Sequence, residues 1–167
     1  MLPVDEIREV ETAAYLAWPA AETVEYDGWE LRFAYGFSRR GNSVYPAQPS
    51  TIDRGLKLDW CTDWYRERGL ELVVRQNPAT EPGLDEILGG HGFTREGLTH
   101  VMVADTGADG DPSAVRERPS VDWWTAAAQL WAIGPDRAAG WRAINYLIDH
   151  PTGFSLHLEA GELGSVV

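Results

Sequence analysis

The chain has 167 residues, 44% of them hydrophobic and 24% charged, values that suit one soluble globular domain or slightly more. A formal charge of −12 and a pI near 4.6 disfavour nucleic acid and anionic membrane surfaces as partners. A single cysteine, Cys61, permits neither an internal disulfide nor a thiolate zinc cluster, and with no leader-like start and no membrane-length apolar run the expected location is cytoplasmic.

Residues 4–17 read as a helix, with Ile7, Val10, Ala14 and Ala17 recurring at helical spacing and Glu6, Glu9 and Glu11 on other faces. Trp18-Pro19 ends it, because the residue before a proline is pushed out of the helical region. Residues 23–26 and 29–33 then flank Asp27-Gly28. That dipeptide between alternating apolar runs predicts a hairpin whose turn residues both need positive φ.

A loop over residues 36–46 leads into a short strand near 42–45. Ser50 or Thr51 is expected to cap a helix running to about residue 68, with Ile52, Leu56, Trp60 and Trp64 as its inward stripe. Residues 70–75 are β-branched and short, a buried strand. A short helix over 84–88, stopped by Gly89-Gly90, and a strand over 99–104 follow. Residues 105–120 are rich in Gly, Pro and Asp and read as a linker. Beyond them come a helix capped by Ser120 or Asp122, a helix opening at Pro135, and a hairpin over 154–159 and 163–167. The order of helix then hairpin therefore occurs twice. The second occurrence ends in an apolar strand, which suggests an incomplete second domain or a strand that pairs with a partner.

Few residues declare a chemistry. The four histidines lack ligand spacing, so no metal is expected. No nucleophile-elbow serine is present, and the glycines at 36 and 41 are followed by Asn42-Ser43 in place of a phosphate-binding lysine. Asp59, Asp63 and Glu67 share one helix face and read as a solvated acidic surface. Trp60, Trp64, Trp124 and Trp131 read as core packing.

Three stretches carry a resemblance: Ala17-Trp18-Pro19-Ala20, residues 26–34 (YDGWELRFA) and residues 36–44 (GFSRRGNSV). With residues 64–69 (WYRERG), 92–97 (GFTREG) and 101–105 (VMVAD), this pattern resembles two-lobed bacterial N-acetyltransferases of the GNAT superfamily over about residues 10–167. The resemblance implies an α/β (α+β) fold, a mixed and mostly antiparallel sheet flanked by helices, followed by a partial second copy. It divides the chain into a degenerate lobe over 1–104, a linker over 105–120 and the start of a second lobe over 121–167. It also implies transfer of acetyl from acetyl-CoA to a small-molecule or peptide amine, without a metal.

The family's pyrophosphate loop, Arg/Gln-x-x-Gly-x-Gly/Ala, sits on backbone N–H groups at a helix start. The nearest stretch here, residues 66–71 (RERGLE), ends in glutamate and falls at a helix end. The chain is therefore expected to lack that loop and to be inactive by itself. The polar residues expected to wall an acceptor pocket are Arg39, Arg40, Asn42 and Ser43, the arginines gripping a carboxylate and Asn42 and Ser43 bonding an amide or hydroxyl. The alternative is a silent GNAT-like binding module that pairs through its C-terminal strand with a second copy or a second lobe.

Overall fold

A computed structural model describes residues 2–102, 115–149, 152–159 and 162–166. They form a mixed α/β fold in two compact units, one of Met1–Glu96 with Gly140–Ile148 and one of Gly97–Ala139 with Asp149–Val167. The expected linker lies largely outside the described residues. No helix among them is long and apolar enough to cross a membrane.

In the first unit, α1 (Val4–Leu16) precedes the hairpin of β1 (Glu22–Tyr26) and β2 (Trp29–Phe33). Asp27 and Gly28 take φ of 48° and 78°, the two positive angles that the turn demands. β3 (Val44–Pro46) pairs antiparallel with β2, giving the sheet order β1-β2-β3. Residues 70–75 contribute less than a full strand. They meet β3 in one parallel bridge, Val44 to Val74, with N–H to O distances of 2.8 Å on either side.

Trp29, Leu31 and Val44 present one sheet face to Leu58, Cys61, Trp64 and Tyr65 of α2 (Arg54–Arg66) and to Leu84 and Leu88 of α3 (Leu84–Gly90). The Tyr65 hydroxyl accepts from the Arg32 N–H at 3.1 Å and donates to the Arg32 carbonyl at 2.8 Å, and burial raises its pKa.

The inward stripe of α2 is not the expected one. Ile52, Leu56 and Trp60 are exposed, and of the four only Trp64 is buried. Helical rotation turns Leu58, Cys61, Trp64 and Tyr65 inward instead, together with Lys57. α1 departs likewise: Glu11, expected outside, is its buried residue and pairs with Arg75 at 2.5 Å. The other sheet face is polar. There Arg32, 2% exposed, donates to the carbonyls of Tyr15, Trp18 and Arg40 and lies 3.7 Å over the Tyr15 ring. A cation at the final carbonyls of α1 is favourable there.

The second unit holds α4 (Val121–Leu130), capped by the Ser120 side chain on Trp123 N–H, and a hairpin of β4 (Leu156–Glu159) and β5 (Glu162–Val166). Trp123 packs edge-on against Trp124 and Phe154 at 5.1 and 5.0 Å. α5 (Pro135–Tyr146) opens at the expected proline. Residues 99–102 form no strand among the described residues, where one was expected over 99–104, and 103–104 lie outside the described residues.

Candidate functional site

In sheets with parallel neighbours, ligands gather beyond the carboxyl ends of the strands. Here that edge is where the loops leaving β3 and residues 70–75 meet at the start of α2. Three backbone N–H groups in the first loop point at carboxylates of the same chain. Thr51 donates to Asp27 at 3.0 Å and Ile52 at 3.3 Å, while Ser50 donates to Glu81 Oε2 at 3.3 Å.

Side chains complete the arrangement. The Ser50 hydroxyl donates to Asp27 Oδ2 at 3.0 Å, and the Thr51 hydroxyl donates to Oδ1. Lys57 Nζ, on a side chain with no exposure, donates to Asp27 Oδ2 at 3.0 Å, to the Asp27 carbonyl at 2.6 Å and to Ser50 Oγ at 2.7 Å. Its ammonium also lies 4.3 Å over the Trp29 ring. The Thr51 hydroxyl, then Lys57 and the backbone donors, hold the Asp27 carboxyl far below the usual carboxylate range.

Because the Ser50 and Thr51 hydroxyls are drawn to Asp27, neither caps α2 as expected. Asp53 does so, accepting from Leu56 N–H at 3.0 Å. The α2 entry is thus an anion nest filled from within by Asp27 and flanked by Glu81.

The four residues expected to face an acceptor are placed differently from this cluster. Asn42 is buried and holds the turn over residues 34–38. Its Oδ1 accepts from Ala34 and Gly36 N–H, and its Nδ2 donates to the Ala34 and Ser38 carbonyls. Ser43 is also buried, and its carbonyl accepts from Arg32 N–H at 3.3 Å. Arg39 and Arg40 are exposed, with Arg39 ion-paired to Glu96 at 2.7 Å.

The stretch at residues 66–71 lies at the C-terminal end of α2, where Arg68 pairs with Glu22 at 2.8 Å and covers the Trp64 ring. Among the described residues no group of three or more His, Cys, Asp or Glu is placed to hold a metal.

Sequence reasoning missed the Asp27–Lys57–Ser50–Thr51 cluster, reading Asp27 only as a turn residue. The available signal was Lys57 itself, a lone cation on the face that Leu58, Cys61, Trp64 and Tyr65 turn inward.

A family profile described as "Probable histone acetyltransferase Rv0428c C-terminal" matches residues 4–140. The chain is also 26% identical over 150 residues to "Uncharacterized N-acetyltransferase YobR" of Bacillus subtilis (strain 168). That alignment covers 84% of the chain and 60% of the relative, so the chain spans less than two thirds of that protein's length. No solved structure matches significantly.

Proposed function

The chain belongs to the family of the probable histone acetyltransferase Rv0428c C-terminal region, and from that premise we propose that it is the first lobe of a two-lobed GNAT N-acetyltransferase. The whole protein moves acetyl from acetyl-CoA to a small-molecule or peptide amine. The neutral amine attacks the thioester carbonyl, the C–N bond forms, the C–S bond breaks, and CoA leaves as the thiol after taking up the proton released by the amine. In this reading a second lobe of the same fold carries acetyl-CoA, and the present lobe lacks the pyrophosphate loop.

The observation that carries the reading is Asp27 at the entry of α2. A pyrophosphate there would need the N–H groups of Thr51 and Ile52, which already serve a carboxylate. It would also bring a second anion beside one that is fixed in place, a repulsion strengthened by the low local dielectric. Arg39 and Arg40, with guanidinium groups at the surface, are the residues proposed to meet the acceptor. Asn42 and Ser43 hold the loop that presents them.

Calorimetric titration of acetyl-CoA into this chain tests the cofactor half of the reading. The expected dissociation constant is weaker than about 1 mM, or roughly −4 kcal/mol. Micromolar binding would refute it. Release of CoA thiol by the whole protein with amine acceptors tests the transfer itself, and a lack of release with every amine class would reject it.

The pairing of β4 with β5 alone among the described residues favours a second role, in which β5 adds to a partner's sheet. Light scattering that finds only monomer at high concentration would argue against this.

A further inference from the structure

The outer face of α2 combines two features that a merely solvated helix does not need. Leu56 and Trp60 follow one another at four-residue spacing and are 71% and 40% exposed, and Ile52, in the loop just before the helix, is 41% exposed. Asp59, Asp63 and Glu67 are exposed as well, and the helical repeat places them on the same side. An apolar ridge therefore runs into an acidic one.

The Trp60 ring is not loose. It packs against Tyr26 of β1 with ring centres 4.3 Å apart and planes tilted by 34°, and Tyr26 packs in turn against the core. An aromatic side chain of the kind that anchors interfaces is held outward in a fixed pose, so binding would order little.

The cations of α2 are already paired, Arg66 with an acid of this same face. Arg54 turns to Glu81 and the Pro82 carbonyl, Lys57 is buried against Asp27, and Arg66 pairs with Asp63. Asp59 and Glu67 have no ion-pair partner among the described residues.

We propose that this face is a docking surface for a basic amphipathic helix, one whose apolar stripe packs along Leu56 and Trp60 and whose Lys or Arg residues meet the unpaired Asp59 and Glu67. Charge selects the occupant. A second copy of the chain would bring another −12 charge to the same acidic face, and an anionic bilayer would be repelled likewise. Ridge-into-groove packing against a helix suits the four-residue spacing. The proposal concerns binding alone and holds whether or not the whole protein transfers acetyl groups.

The test uses two synthetic helical peptides with the same leucines, one bearing Lys and the other Glu at every polar position. Each is titrated calorimetrically into the full chain and into Leu56→Asp. Because Leu56 is mostly exposed, this variant is expected to fold, which its circular dichroism checks. The expected result is saturable binding of the Lys peptide, no heat from the Glu peptide, and at least about a tenfold loss of affinity in Leu56→Asp. No binding of the Lys peptide would overturn the proposal. Equal binding to both proteins would also overturn it, since bulk charge would then suffice. A dimer seen by light scattering and dissolved by Leu56→Asp would assign the face to a second copy instead.

Discussion

Lys57 and Asp27 face each other across 3.0 Å, with the lysine side chain wholly removed from water. Two elements distant in sequence, the β1–β2 turn and α2, meet in that pair. A buried ion pair is a weak source of stability when intact, but breaking it leaves an uncompensated charge inside. Asp27→Ala is therefore expected to lower the urea midpoint far more than Glu96→Ala, which removes the exposed pair with Arg39 and costs under about 0.5 kcal/mol. Equal midpoints for the two variants would refute this account of the α2 entry.

The same carboxylate sets an acid limit. The folded pKa of Asp27 is depressed below the ordinary 3.8, and that of Asp85 is lowered by Arg95. A depressed carboxylate contributes stability that is present above its unfolded pKa and lost as pH falls toward the folded one. Stability should hold steady from neutral pH to about pH 5 and decline below about pH 4. Asp27→Asn should be less stable at neutral pH yet show a shallower acid decline, read from denaturation at a series of pH values.

Asn42 makes four hydrogen bonds to the backbone of residues 34–38, all from one buried amide. Asn42→Ala removes them together and leaves buried groups at Ala34 unpaired, so a loss of about 2–4 kcal/mol is expected. Thermal unfolding measures it. A change below about 0.5 kcal/mol would mean that the turn stands without its brace.

Gly28 and Gly69 both adopt positive φ, at 78° and 69°, but differ in surroundings. A Cβ on Gly28 would lie 2.8 Å from Gln48 Cβ, whereas one on Gly69 would meet nothing within 4 Å. Gly69→Ala should cost only the left-handed backbone penalty, about 1 kcal/mol. Gly28→Ala should cost about 3 kcal/mol, because crowding adds to that penalty. Chemical denaturation of the two variants separates strain from collision.

Burial pushes the Cys61 thiol up to about 12, against a smaller opposing pull from Lys57. A raised thiol pKa contributes stability that is present below the unfolded value of 9.0 and lost as pH rises toward the folded one. Native protein at pH 8 should therefore resist an aromatic disulfide reagent and react promptly in denaturant. Rapid labelling of the native chain would contradict the observed burial.

Elements with strong local signals were legible in the sequence. Asp27-Gly28, Trp18-Pro19, Ser120 and Pro135 mark boundaries that backbone sterics and capping enforce by themselves. Rotation about the α2 axis was not legible. Ile52, Leu56 and Trp60 form a plausible apolar stripe, but Leu58, Cys61, Trp64 and Tyr65 form another, and only the sheet decides between them. The roles of Glu11 and Lys57 were hidden for a related reason. A charged residue on an inward face makes sense only once Arg75 or Asp27, distant in sequence, is seen beside it.

Tyr65 engages both the N–H and the carbonyl of Arg32, so a side chain of α2 is riveted to the backbone of the central strand. α2 cannot peel from the sheet without giving up both of those bonds. The helix and the hairpin should therefore open as one cooperative unit, and the Arg32 amide proton should be among the last to exchange with solvent deuterium.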